Sequence, residues 1–157
     1  MLPILIILAA VAVVLLWPVL RRRWRERRRA TLRARPFPAA WSALLRGHMP
    51  LYAALPRDLR EQLHGHIQVL LAEKDFHGAR GLVVTDTMRL VIAAQAALLL
   101  LNRSTDYYPL LFSIVVHPAA FVVDREHWDA AGLHHRDRQV VSGESWQTGQ
   151  LVLSWDD

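Results

Sequence analysis

The stretch Thr85-Asp-Thr-Met-Arg-Leu-Val-Ile-Ala-Ala-Gln-Ala-Ala-Leu-Leu-Leu-Leu101 decides how the rest of the chain is read. From Leu90 to Leu101 its only polar residue is Gln95. Thr85 and Asp86 are residues that accept hydrogen bonds from the open N–H groups of a first helical turn, so a helix is expected from about Thr87 to Leu101. Twelve helical residues span roughly 18 Å, short of the roughly 30 Å core of a bilayer. A helix that is apolar on every face and too short to cross a membrane belongs in the middle of a protein core. A re-entrant membrane segment is the alternative that the same length leaves.

Working outward, Leu59, Leu63, Ile67, Leu70 and Leu71 follow an i, i+4, i+8, i+11, i+12 pattern after Pro56, with Arg57, Asp58, Glu61 and Gln62 on other faces. That periodicity predicts an amphipathic helix to about Lys74. Beyond Tyr107-Tyr108-Pro109 the pattern changes to short β-type runs over Leu111 to Val116 and Ala120 to Val123, split by His117-Pro118. A polar stretch follows from Asp124 to Arg138, and then Gln139-Val-Val-Ser and Gln150-Leu-Val-Leu-Ser-Trp155 read as strands of a hairpin around Gln147-Thr-Gly149. Helices followed by strands make the expected class α+β, with the strands antiparallel. The chain stops at Trp155-Asp-Asp157 directly after a strand, which reads as a domain truncated internally.

In the other direction, Leu2 to Leu20 is nineteen residues without a charge. As a helix it is roughly 28 Å long, which predicts an N-terminal transmembrane helix over 1–20. The basic residues come after the apolar run, the reverse of a cleaved signal peptide. Nine arginines lie between Arg21 and Arg35 against Glu26 alone, so the first 35 residues carry +8 and the remaining 122 carry −3. The pI near 10.6 therefore reflects one block next to the apolar run and no basic binding face, which excludes a nucleic-acid partner. By the positive-inside rule the expected location is the bacterial inner membrane, single-pass, N-terminus outside, with the bilayer as a partner and the domain in the cytoplasm. The expected organisation is a transmembrane helix over 1–20, an Arg-rich juxtamembrane linker over 21–38 closed by Pro36-Phe-Pro38, and the folded part over 39–157.

No complete catalytic set emerges from the residues themselves. The chain has no cysteine, which removes disulfides, thiolate metal sites and cysteine nucleophiles. None of the eight histidines is followed by Glu, so the HExxH pattern of zinc peptidases is absent, and His127 of Glu126-His127 fails the inverted pattern because residue 123 is Val. His64-Gly-His66 points to different faces of a helix and is read as facing solvent. Gly143-Glu-Ser145-Trp-Gln147 departs from a nucleophile elbow at its last position, where Gln stands for Gly. Gly78-Ala-Arg-Gly81 has neither the spacing nor the Lys of a phosphate-binding loop.

His117-Pro-Ala-Ala-Phe-Val-Val123, Val140-Val-Ser-Gly-Glu-Ser-Trp146, Gly149 and Leu151-Val-Leu-Ser-Trp-Asp156 together resemble the Mlc titration factor A family of zinc-dependent peptidases. Leu82-Val-Val-Thr-Asp86, Ile92-Ala-Ala-Gln-Ala96 and Tyr107-Tyr108 fit the same family, so the likeness covers roughly Trp41 to Asp157. What the resemblance implies is the N-terminal part of a zincin-like domain, with zinc as the cofactor of the full-length family member and a peptide or protein as substrate. It also implies a link to the transcriptional repressor Mlc. The family's zinc ligands and general base lie beyond the segment matching Trp155-Asp-Asp157, so no zinc, no metal ligand and no catalytic residue is expected in this chain. In such domains an edge strand before the active-site helix holds the substrate backbone by β-augmentation. Here that place in order falls to Ser142, Gly143, Glu144, Ser145 and Trp146, through their main chain, with hairpin packing as the ordinary role of the Trp146 and Trp155 rings.

Two functions follow as expectations. The first is the membrane-anchored N-terminal portion of a zinc-dependent metallopeptidase, inactive as this chain alone. Its rival is a non-enzymatic, membrane-tethered module that binds a protein partner through an exposed strand edge or polar loop.

Overall fold

The computed structural model describes the backbone of residues 2–119, 121–128, 134–141, 143–146 and 149–156, and the side chains of 13–119 and 149–156. Five helices and six strands are assigned among them: α1 Leu2–Arg33, α2 Ala39–His48, α3 Pro50–Ala54, α4 Arg57–Glu73, β1 Asp75–Gly78, α5 Asp86–Leu98, β2 Ser113–His117, β3 Phe121–Trp128, β4 His134–Val141, β5 Gly143–Trp146 and β6 Gln150–Ser154.

The apolar run at 85–101 forms the central helix. Thr85 caps α5, its Oγ1 accepting from the Met88 N–H at 3.2 Å, and Asp86 places a carboxylate in the first turn, where the helix dipole favours it. Leu90, Ala93, Ala94 and Ala97 pack with Leu63, Ile67 and Leu70 of α4 and with Leu45 and Tyr52 of the preceding helices. Met88 and Ile92 join Ile114 and Val116 of β2 on the opposite side, with Phe76, Leu151, Leu153 and Trp155 packed against them. The helix thus separates an all-helical core from a helix–sheet core, and the helical turn ends near Asn102 at φ 56°.

The expected antiparallel sheet is corrected. Strand order is β1-β2-β6-β5, with β1–β2 and β2–β6 parallel and only β5–β6 antiparallel. The physical reason is the crossover: β1 returns to β2 through α5, and a connection carrying a helix places the two strands side by side in the same direction. Strand β1, Asp75-Phe-His-Gly78, is four residues without apolar alternation, and its place in the sheet comes from pairing with β2.

Residues 124–128 and 134–138 are not simply a polar connection. Strands β3 and β4 form a separate antiparallel ribbon in which Asp124 lies opposite Arg138, Arg125 opposite Asp137 and Glu126 opposite Arg136. These positions carry no apolar alternation in the sequence, the pattern from which strands are read. Gln139–Val141 therefore belong to the ribbon, and the partner of β6 around residues 147–149 is β5. Gly149 at φ 81° is required there, because a Cβ would lie 2.6 Å from both the Leu110 carbonyl oxygen and the Phe112 ring.

The expected transmembrane helix is also overturned: among the described residues no helix is long and apolar enough to cross a membrane. Helix α1 is one element of 32 residues, and its last turns turn inward. Leu32 is buried, and Gly65 of α4 lets the Arg33 side chain approach closely, since a Cβ there would sit 3.1 Å from Arg33 Cγ.

One arginine of the block fastens α1 to the domain. Arg29, only 6% exposed, donates through Nε and Nη2 to both Glu73 oxygens at 2.7 and 2.9 Å. Its Nη1 reaches the Asp106 carboxylate, and its Nη2 the Asp106 carbonyl at 3.2 Å. The guanidinium also lies 4.8 Å from the centre of the Tyr107 ring. These hydrogen bonds, Glu73 first, raise the arginine's pKa and draw the Asp106 carboxyl below its ordinary range. Arg29→Met should lower stability by about 2–3 kcal/mol, because it strands Glu73 in a part-buried place. Arg22→Met, breaking an exposed pair with Glu26, should change it by less than about 0.5 kcal/mol. Urea midpoints of the two variants, compared with wild type, measure the difference.

Candidate functional site

The sequence-predicted substrate strand is placed at an end of the sheet. Gly143, Glu144, Ser145 and Trp146 form β5, which lies opposite Leu153, Val152, Leu151 and Gln150 of β6 in that order. Ser142 lies outside the described residues. Among the described residues β5 pairs with β6 alone and β1 closes the other end of the order. In an antiparallel pair alternate residues turn their N–H and C=O groups away from the partner, so two of the four β5 residues present main-chain donors and acceptors at the open edge. Such an edge takes an added strand.

Behind the sheet, the histidines read as facing solvent are placed inside the helical layer. His66 is buried, 7% exposed, with Nδ1 2.8 Å from the Tyr107 hydroxyl. That hydroxyl accepts from Arg33 Nη1 at 3.1 Å and has its own proton for the imidazole. His64 stacks on Phe37 with ring centres 3.8 Å apart, and its Nε2 is 2.8 Å from the Tyr52 hydroxyl. Glycine at 65 brings α1 close enough for this arrangement; Leu59, Leu63, His66 and Leu70 follow an i, i+4, i+7, i+11 spacing that puts His66 beside the leucine face, a signal lost when the two histidines are read only as a pair on different faces. Tyr107 and Tyr108 both have positive φ, 56° and 54°, a conformation that costs energy in bulky residues and is held here by those contacts. The Tyr108 hydroxyl donates to the Ala96 carbonyl at 2.8 Å.

Lys74, which ends α4, is buried and donates to the carbonyls of Tyr108 and Leu111 at 2.8 and 2.7 Å. Burial lowers its pKa. The loop 108–111 is thereby tied to the end of α4 from one side and to α5 from the other.

Among the described residues no three His, Asp or Glu side chains gather as ligands. His64 and His66 are each engaged with a tyrosine, and the carboxylates nearest the helical layer, Glu73 and Asp106, are held by Arg29. These residues do not fit a zinc centre, which needs three converging ligands and an open position.

Residues 21–157 match the family of glucose-regulated metallo-peptidases M90. The chain belongs to this family. A relative named "Uncharacterized protein slr2042", from Synechocystis, is 41% identical over 133 residues, which are 84% of this chain and 47% of that protein. The Mlc titration factor A of Yersinia enterocolitica is 31% identical over 119 residues, 76% of this chain and 44% of that protein. The Yersinia pestis protein of the same name is 30% identical over a stretch of the same length. The M90 chain described here therefore spans less than half the length of these relatives. No solved structure matches it.

The buried histidines make stability depend on pH. Burial, with Arg33 beside His66 and Arg60 beside His64, lowers both imidazole pKa values below 6.5, against a smaller opposing effect of Glu61 on His64. Between the lowered and the ordinary value the unfolded chain binds more protons than the folded one, so stability is full above about pH 6.5 and falls as pH drops below it. The thermal midpoint should fall between pH 7.5 and pH 5, and His66→Asn should flatten that fall; an equal slope in the variant would contradict the assignment.

Proposed function

We propose that this chain supplies the peptide-binding sheet edge of an M90 metallopeptidase, with β5 as the strand that holds the substrate backbone. The observation that carries the reading is the place of Gly143–Trp146 at the end of the strand order, paired with β6 alone among the described residues. A substrate lying along it would gain about four main-chain hydrogen bonds, each worth roughly 0.5–1.5 kcal/mol net. Recognition of this kind reads an extended backbone and tolerates varied side chains.

Hydrolysis is assigned to a metal held outside the described residues of this chain. The family description supports the metal, and the geometry of His64, His66, Glu73 and Asp106 offers it no seat. The reading for the chain alone is peptide binding without turnover. A repressor of the Mlc type is proposed as a protein partner, supported by the name carried by the Yersinia relatives.

Two measurements test this. Fluorescence anisotropy with an extended, labelled hexapeptide should show saturable binding, and N-methylation of alternate residues of that peptide should abolish it in one register and leave it in the other. Equal binding of both methylated peptides would rule out a backbone-reading edge. Calorimetric titration with zinc should show no 1:1 event, and a tight stoichiometric event would overturn the assignment of the metal elsewhere.

A further inference from the structure

Helix α1 meets the loop that follows α5 across an open pocket of about 530 Å³, a size that holds a small molecule. Arg22, Arg25, Arg29 and Arg33 line it from α1 at an i, i+3, i+7, i+11 spacing, which puts all four on one face of the helix. Ser104 and Thr105 line it from the loop. Beyond the hydrogen bond from Arg29, the charges of Arg25 and Arg22 also lower the pKa of the Asp106 carboxyl, so both arginines lie within electrostatic reach of that loop. Apart from the Tyr107 ring the lining is polar, which suits a small hydrophilic ligand.

The charges in this pocket are unequally matched. Arg29 is held by Glu73 and Asp106, and Arg22 by Glu26 at 3.0 Å. Arg25 and Arg33 have no carboxylate partner among the described residues. Arg33 gives one N–H to the Tyr107 hydroxyl, which leaves four of its five donors open, and Arg25 keeps all five. The loop adds neutral donors: the Thr105 hydroxyl oxygen accepts from the Tyr107 N–H, and its own O–H, like that of Ser104, remains to donate. Donors in this number exceed what the two oxygens of a carboxylate accept. A phosphate monoester carries three strong acceptor oxygens and nearly two negative charges at neutral pH, which match the two arginines left over, and a guanidinium fork fits its oxygens two at a time. Arg25 and Arg33 lie eight residues, roughly 12 Å, apart along the axis, a gap that two long side chains leaning together close around one phosphate.

We propose that this pocket binds the phosphate group of a small soluble phosphomonoester, with Arg25 and Arg33 as its charged contacts and the Ser104 and Thr105 hydroxyls as neutral donors. The same loop is joined to α1 through Arg29 and Asp106, so an anion seated there stabilises the docked arrangement of α1. The site uses no residue of β5 and no metal, and is independent of the substrate role proposed for that strand.

Isothermal titration of the full chain with glycerol 3-phosphate at low ionic strength should give a saturable 1:1 event, and excess ester should raise the thermal midpoint. Arg25→Met removes an exposed guanidinium that makes no ion pair, so the helical circular dichroism should stay intact while affinity falls by more than about tenfold. Ser104→Ala should weaken binding by about threefold. Arg57→Met, which removes one positive charge from α4 outside the pocket, should change affinity by less than about twofold. Absence of a saturable event, or equal losses in Arg25→Met and Arg57→Met, would overturn the proposal in favour of diffuse charge. Binding to vesicles of phosphatidic acid in phosphatidylcholine without binding to glycerol 3-phosphate would overturn it in favour of a surface patch on α1.

Discussion

The architecture depends on covering one helix. Helix α5 is apolar on nearly every side, and a helix of that composition is stable only when each face is removed from water. Helix α4 covers one face with Leu63, Ile67 and Leu70, and the sheet covers another with Ile114 and Val116. Because β1 precedes α5 and β2 follows it, covering α5 with the sheet also sets β1 and β2 side by side in parallel. Among the described residues Ala96 of α5 and Leu99, just past its end, line an open groove beside the sheet.

Polar groups hold the helical layer in register. Arg29 joins α1 to the end of α4 and to the loop at Asp106, and Arg33, Tyr107 and His66 continue the same chain of contacts inward. A buried ion pair contributes little net stability, since desolvation offsets attraction, but it penalises every arrangement in which one partner is left alone. That selectivity accounts for two consecutive tyrosines being held at positive φ. Tyr107 is fixed by Arg33 and His66, Tyr108 by the Ala96 carbonyl, and the loop they begin is held again by Lys74. The loop is thereby tied to the end of α4 and to α5.

Some of this was legible from residues alone. The leucine spacing after Pro56 marks α4 to within about two residues, and Thr85 marks the start of α5, because helical periodicity and capping are local properties. The family likeness was legible too, in the order of motifs from Leu82 to Asp156. Strand β1 and the charged halves of β3 and β4 were not, because their residues carry no alternation and their conformation is set by a distant partner. The transmembrane reading went astray for a related reason. It took the apolar run apart from the arginines that share one helix with it, and it read those arginines as a juxtamembrane linker where Arg29 is buried against the domain.

By itself, then, the sequence determined the family, the two long helices of the domain and the place in order of the candidate substrate strand, because each is written in a contiguous pattern. Only the tertiary structure decided that β2 lies parallel to β1 and β6, that β5 ends the sheet, and that His64 lies inside. Strand direction, edge position and burial are relations between segments far apart in the chain, and no local spacing of residues encodes them.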